Sequence, residues 1–363
     1  MNILALVGDA FGGHGGIAQY NRDLFTALKV GGCAERIVVL PRQGRAGTPE
    51  PPDRVRQLGP RGKSCYPLAA LRAAVAEGPF DVMFCGHLNL APLAAMVSRL
   101  IGVPLWLQLH GWEAWEPTRA QAWAARHSTL ITAVSRYTRR RFIRSVAIDP
   151  QRIRVLPNTV DEKFTPGPPP PSLVERYRLQ GRRVLLTVGR LSPDERGKGH
   201  DKVIGALPQL IADHPDLVYL VVGDGGDRQR LAAAAKEGGV ADHVLFAGAV
   251  ASDELADHYR LATVFVMPSI QEGFGIAFLE AAGSGLIAIG GNRDGSVDPL
   301  ADGAAGMIVD PTSPMQLVAA IESALAGQGP DPAQARRFRF ENFGGHLRDL
   351  VTTHLLPPRV EAA

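Results

Sequence analysis

The sequence predicts an α/β protein made of two doubly wound parallel sheets. Three observations carry this. Short apolar runs alternate with helical patterns along the whole chain. The alternation is interrupted by a proline-rich stretch, TPGPPPPS (Thr165–Ser172), and then restarts. Finally, 363 residues are long for one hydrophobic core. The proline run reads as a stiff linker or domain boundary, neither helix nor central strand. The expected domains are residues 1–166 and 167–340, with a C-terminal helix at about 340–363 rejoining the first. Ligands of such sheets sit beyond the carboxyl ends of the strands, so two facing domains would hold one in the cleft between them.

In the first half the apolar runs Ile3–Val7, Ile37–Leu40, Val82–Cys85, Leu105–Leu109, Thr129–Ala133 and Ile153–Leu156 read as strands. Helical patterns at Ile17–Lys29, Tyr66–Glu77 and Leu90–Ile101 lie between them. In the second half the strands are Val184–Val188, Leu217–Val222, His243–Phe246, Val264–Met267, Ile287–Ile289 and Met307–Val309. Helical runs at Gln229–Lys236, Asp253–Arg260, Ile276–Ala282 and Pro314–Ala326 separate several of these. Residues 330–363 read as helical and end in a polar tail with Pro357 and Pro358.

The composition, 45% hydrophobic and 21% charged, is that of a globular protein. No apolar run reaches the roughly 20 residues of a membrane span. Met1-Asn2 leads directly into a strand, not a cleavable signal. Cys33, Cys65 and Cys85 are odd in number and lack CxxC spacing, so neither disulfides nor zinc are expected and a cytoplasmic location is. The net charge of +3 divides into +9 for residues 1–165 and −6 for 166–363. A basic N-terminal half suits an anionic surface or substrate; no nucleic-acid partner is expected.

The chemistry concentrates in QEGFGIAFLEAAGSG (Gln271–Gly285). A strand leads into a glycine turn and a helix N-terminus, which offers unpaired N–H groups to a phosphate or other electron-rich group. Glu272 precedes that helix and Glu280 lies one to two turns inside it, so the pair could hold two parts of one polar ligand. Upstream, TVGRLSPDERGKGHD puts Arg190 and Lys198 on one glycine-rich loop after a strand, a fork and a point charge suited to a pyrophosphate. No DxD pair occurs, so no metal is expected on the phosphates and the two cations would do that work.

In the first half, Gly12, Gly13, Gly15 and Gly16 form a loop that a ligand can approach closely, before the helix from Ile17. Gly13–Ala18 matches GxGxxG/A, a weak dinucleotide signal. The second strand is followed by Pro41 and Arg42 with no acid, which disfavours NAD and leaves an NADP reading with Arg42 or Arg45 on the 2′-phosphate. His110 ends a strand beside Gly111, placed for a cleft or bonded to backbone. Asn158 sits near the domain junction and either meets a ligand or caps a turn. The run VSRYTRRRFIRSV carries Arg136, Arg139, Arg140, Arg141 and Arg144, a basic amphipathic helix that could lie on an anionic membrane or simply be solvated. Trp106, Trp112, Trp115 and Trp123 fall within 18 residues, as an acceptor platform or as core.

Taken together, these residues resemble the retaining family 4 glycosyltransferases of GT-B fold, two Rossmann-like domains facing across a cleft. The resemblance spans essentially the whole chain. It rests on the E-x7-E signature (Glu272, Glu280) with its internal GFG, the GRL…KG loop (Arg190, Lys198), VVGDG (Val221–Gly225), Leu156–Pro166 and GGIAQY. Thr159 stands where the family often has glycine, Leu286 where it commonly has proline, and Asp294 or Ser296 where it has a glutamate.

The resemblance implies a nucleotide-sugar donor on the C-terminal domain and an acceptor on the N-terminal one. Arg190 and Lys198 would bind the diphosphate, Glu280 the ribose, and Glu272 the transferred sugar. The Phe274-Gly275 backbone would meet sugar or phosphate, and His110 the sugar near its reacting carbon. Gly15 and Gly16 would approach the diphosphate or acceptor, and Asn158, Gly189, Gly223 and Asp224 complete the donor-binding set. Such enzymes usually retain configuration without metal or other cofactor. The expected reaction moves a hexose from GDP-mannose or a UDP-hexose to a glycan or polyprenyl-diphosphate-linked acceptor. It would serve bacterial exopolysaccharide or O-antigen synthesis, in the cytoplasm or peripherally at the inner membrane face through Arg136–Arg144. The rivals are an NADP-dependent oxidoreductase and a non-catalytic sugar-nucleotide-binding protein.

Overall fold

The computed structural model describes residues 1–13, 15–44 and 50–356. Contacts divide the chain into two compact units. One comprises Met1–Thr159 with the stretch from Phe340, the other Val160–Arg339.

The first unit is built on seven strands: β1 (Asn2–Val7), β2 (Arg36–Pro41), β3 (Val55–Gln57), β4 (Val82–Cys85), β5 (Leu105–Leu109), β6 (Leu130–Ala133) and β7 (Ile153–Val155). Their order is β3-β2-β1-β4-β5-β6-β7, and every pairing is parallel. The chain therefore reverses its winding between β1 and β4. Strands β4, β5 and β6 are buried at every position, as expected of parallel strands covered on both faces. Edge strand β3, Val-Arg-Gln, is absent from the sequence reading because three residues with one apolar member give no periodicity.

Helices Tyr66–Ala76, Ala91–Ile101 and Arg119–Arg126 lie side by side and share one core with Leu4, Leu6 and Val38 of the sheet. Helix Gly16–Val30 packs against helix Phe340–His354, with Tyr20 edge-on to Phe343 at 6.2 Å.

The second unit holds β8 (Arg183–Val188), β9 (Leu217–Val222), β10 (Val244–Gly248), β11 (Val264–Met267), β12 (Ile287–Gly291) and β13 (Met307–Val309). Their order is β10-β9-β8-β11-β12-β13, again all parallel. The two-residue period of a strand divides its side chains between two cores: Leu185 enters one, Val184 and Leu186 the other. The winding reverses between β8 and β11.

Two expectations need correction. The proline run is not wholly non-helical, because helix Pro171–Arg176 starts inside it. Pro171 occupies a first-turn position where the missing N–H has no partner to lose. The region after residue 330 is not one helix: a 3₁₀ segment, Pro332–Phe338, precedes Phe340–His354. Residues 357–363, with Pro357 and Pro358, lie outside the described residues, as do His14 and Arg45.

Candidate active site

In the second unit the loops after β8 and β11 meet at the point where the winding reverses, where an open α/β sheet leaves room for a ligand. The N–H of Ile270 donates to the Gly197 carbonyl at 2.8 Å, tying the loops together. Gly199 permits this. Its φ is +85°, and a Cβ there would stand 2.6 Å from the Pro268 carbonyl oxygen. Gly223 plays the same part on the other side. With φ +136°, it brings its backbone so close to Gly189 that a Cβ would fall 1.9 Å from the Gly189 oxygen.

These approaches bring Lys198 to the first glutamate. Lys198 Nζ bonds Glu272 Oε1 and lies 3.5 Å from Glu195 Oε2, while Arg190 bonds Glu195 Oε1. Burial works against the Lys198 charge, but Glu272 and Glu195 outweigh it and hold the ammonium above its ordinary pKa. Lys198 is thus a half-buried, permanently charged cation, whereas Arg190 is largely exposed. Gly189 lies under the Lys198 stem. Asp224 is exposed; its carbonyl accepts Leu191 N and its carboxylate caps Gly225 N at 2.8 Å.

Glu272 is fixed from behind by Asp294. The buried Asp294 carboxylate accepts from Glu272 N at 2.7 Å, Ser269 Oγ at 2.6 Å and Ser296 N at 2.9 Å. Burial pushes its carboxyl above the usual aspartate range against the pull of those donors. The N–H of Gly295 returns a bond to the Glu272 carbonyl. Gly291 serves packing, since a Cβ there would stand 2.0 Å from the Ser269 oxygen.

Beyond the turn, Gly275 starts helix Ile276–Gly283 in the left-handed region at φ +87°. Phe274 turns inward against Phe338. Glu280 Oε2 accepts from the buried Tyr259 hydroxyl at 2.6 Å. Burial raises its carboxyl to about 7, against the pull of Tyr259 and Lys163.

The first unit places Gly15, Gly16 and His110 near its own reversal point, whereas Asn158 follows the edge strand β7. His110 follows β5, and its Nε2 donates to the Gly86 carbonyl beyond β4 at 3.0 Å. Its N–H donates to Glu113 at 2.7 Å, and Tyr20 stands edge-on at 5.0 Å. Burial, reinforced by His87, lowers the His110 pKa to about 3, so this imidazole is neutral at working pH and serves as a hydrogen-bonding group. Gly15 and Gly16 are exposed at the start of helix Gly16–Val30, with no side-chain cap on its N–H groups. Asn158 is buried, and its Oδ1 has no hydrogen-bond partner among the described residues.

Two family models tile the chain: "Glycosyltransferase Family 4" over residues 14–164 and "Glycosyl transferases group 1" over 174–340. A GDP-mannose-dependent alpha-(1-6)-phosphatidylinositol monomannoside mannosyltransferase of Mycobacterium tuberculosis is 34% identical, over 70% of this chain and 69% of its own. The chain belongs to glycosyltransferase family 4. The protein of the same name from Mycolicibacterium smegmatis is 33% identical over 64% of this chain, and the match spans 63% of that relative. Among solved structures, Anabaena HepE in complex with UDP and glucose superposes with a TM-score of 0.77 at 20% identity, covering 97% of this chain and 100% of that one. Sucrose-phosphate synthase from Thermosynechococcus elongatus gives 0.70 at 21% identity, over 98% and 95%. The fold is GT-B, and the protein is a transferase. The oxidoreductase reading of the glycine loop falls with this assignment.

The transferase contains site residues that the sequence reading did not assign. Glu195 sits between the two predicted cations; its i,i+3 spacing to Lys198 was a signal in PDERGK, whereas its bond to Arg190 follows from the fold of the loop. Asp294 carried a signal, since it or Ser296 stands where the family has a glutamate, but its bond to Glu272 N spans 22 residues. The tryptophan cluster separates. Trp106 is core beside Phe84, Trp115 packs on Tyr137, and only Trp112 and Trp123 remain exposed. In helix Arg136–Val146, Arg139 bonds the Ile153 and Pro150 carbonyls and Arg141 lies over Trp115. Among the described residues no helix is long and apolar enough to cross a membrane. Cys33, Cys65 and Cys85 are free thiols.

Proposed function

We propose that the transferase moves a mannosyl unit, with retention and without a metal, from GDP-mannose to a sugar on a glycan or lipid-linked acceptor. One observation carries this reading: Arg190 and Lys198 converge on Glu195 beside Glu272, at the reversal point of the second sheet. Two cations gathered on one carboxylate suit a diphosphate, and Glu195 would yield them to that anion. The GDP-mannose dependence in the names of two relatives more than 30% identical supports mannose over a UDP-hexose.

In this reading the sugar–phosphate bond breaks as the acceptor hydroxyl attacks the same face of C1. A bond forms from the acceptor oxygen to C1, the C1–O bond to the diphosphate breaks, and the hydroxyl proton passes to the departing phosphate oxygen. Negative charge grows on that phosphate, so Lys198 and Arg190 stabilise the transition state more than the ground state. Glu272 orients the sugar hydroxyls, and its Asp294 clamp keeps that geometry without reorganisation. Neutral His110 accepts or donates a hydrogen bond near the sugar. Glu280 takes the ribose hydroxyls, and Gly15 and Gly16 present backbone N–H groups.

A thermal-shift series with GDP, UDP, ADP and NADP, with and without magnesium, tests the donor, since a ligand of the native state raises the melting temperature by mass action. A metal-independent shift selective for GDP is expected. A shift with UDP alone would replace mannose by a UDP-hexose, and a strict magnesium requirement would refute the metal-free mechanism.

A further inference from the structure

Behind His110 lies a row of buried polar side chains that the reaction as described leaves without a part. Trp106 and Gln108 alternate along β5 and His110 follows them, so the three share one face of the sheet. Thr132 is the register partner of Gln108 on β6, and Tyr20 approaches from helix Gly16–Val30. The Trp106 Nε1–H donates to Thr132 Oγ1 at 2.8 Å. The hydroxyls of Thr132 and Tyr20 both donate to Gln108 Oε1, that of Tyr20 at 2.7 Å. Gln108 Nε2 in turn donates to the Leu109 carbonyl at 2.9 Å. All four side chains are buried. Burial raises the Tyr20 pKa, with Asp23 acting in the same direction, so the phenol keeps its proton and donates. Such a row costs desolvation that apolar side chains would avoid. What it secures is a fixed ring. Tyr20 is tied at its hydroxyl tip and meets the His110 imidazole edge-on, with centroids 5.0 Å apart.

The imidazole itself has one committed nitrogen. Nε2 lies 3.0 Å from the Gly86 carbonyl oxygen, which can only accept, so Nε2 carries the ring proton. Nδ1 bonds nothing among the described residues. Burial, with His87 beside it, keeps the ring neutral, so Nδ1 is a bare lone pair that accepts and cannot donate. A half-turn of the ring about its stem would set Cε1 against the Gly86 oxygen and carry Nδ1 to the other side. The packed edge of Tyr20 resists that turn.

We propose that Tyr20 is a positioning residue: anchored by Gln108, it holds His110 in the one ring orientation that presents Nδ1, as an acceptor only, to a hydroxyl of the transferred sugar. The proposal rests on the functional reading above, which sets the sugar beside His110. It adds a direction to that contact, because His110 takes a hydrogen bond from the sugar and gives none. It also gives the buried row a use beyond packing. A side chain that must meet a reacting group in one orientation is held by neighbours whose own positions are fixed, here Gln108 through Thr132 and the Leu109 carbonyl.

The test reads the ring directly, on the full chain labelled with nitrogen-15 histidine. A long-range proton–nitrogen correlation spectrum separates protonated from bare ring nitrogens, and the difference from His110→Gln identifies the signals. The wild type should show His110 in a single neutral form with its proton on Nε2. Tyr20→Leu removes the ring and should give a mixture of forms. Its kcat should fall on the order of tenfold, with donor KM within about twofold of wild type. Tyr20→Phe restores the ring without the bond to Gln108, and should recover the single form and a kcat within about threefold of wild type. Tyr20→Met, a milder truncation, is read in the same way where Tyr20→Leu does not fold. A proton on Nδ1 in the wild type overturns the proposal. So does a folded truncation variant with wild-type spectrum and kcat, which would leave the row a structural part alone. The spectrum needs no turnover, so a wild type with the expected form and no transfer would fault the functional reading and leave the ring assignment standing.

Discussion

Replacing Glu280 by glutamine should remove a pH dependence built into the second unit. Glu280 is half-buried, bonded to the Tyr259 hydroxyl, and titrates at about 7 against an ordinary 4.5. The native state therefore holds this proton more tightly than the unfolded chain does. Between pH 4.5 and about 7 the folded protein carries the extra proton, so its stability falls as pH rises and levels off above 7. The interval from 4.5 to about 7 corresponds to at most about 3 kcal/mol, and partial exposure brings this to about 1–3 kcal/mol. Glu280→Gln keeps an acceptor for Tyr259 and loses the charge. Its melting temperature relative to wild type should climb from pH 5 to 7.5, by about 2–4 °C per kcal/mol for a unit of this size. Melting curves at constant ionic strength measure this, and parallel wild-type and variant profiles would refute the reasoning. The same group governs nucleotide binding if its ionised form accepts the ribose hydroxyls. The ionised fraction rises from about 0.1 at pH 6 to about 0.9 at pH 8, so wild-type GDP affinity should tighten about tenfold more than the variant's.

Further outcomes follow from the same geometry. Lys198→Ala should lower kcat on the order of a hundredfold, because it removes charge from the leaving phosphate and leaves Glu195 and Glu272 without their shared cation; an effect on donor KM alone would confine Lys198 to ground-state binding. Asp294→Asn should cost about 1–3 kcal/mol in urea unfolding, since an amide cannot accept from all three donors. It should also reduce kcat through the loosened Glu272 turn, and unchanged kcat in a folded variant would remove Asp294 from that role. Gly223→Ala should destabilise by about 3 kcal/mol or more, given its positive φ and a Cβ 1.9 Å from the Gly189 oxygen; a wild-type unfolding midpoint would show that the loop yields at little cost.

The sequence alone determined the architecture and most of the candidate site. Parallel strands buried on both faces appear as continuous apolar runs, so both sheets were visible except for β3, whose three residues gave no pattern. Glu272, Glu280, Arg190 and Lys198 were legible because a strand, a glycine turn and a helix start follow one another locally. Tertiary structure decided what those charges touch. Asp294 acts through a contact made only when the loops after β11 and β12 come together, and local spacing carries no trace of it, whereas Glu195 reaches Arg190 and Lys198 within its own loop. The tryptophans and arginines show the same limit. Trp106 and Trp115 are core, Arg139 and Arg141 are internal partners, and Trp123 and Arg99 face outward. Composition placed all of them in one basic, aromatic half. Their separate fates depend on which face of each strand or helix the rest of the unit covers, a geometric fact that the order of residues leaves open.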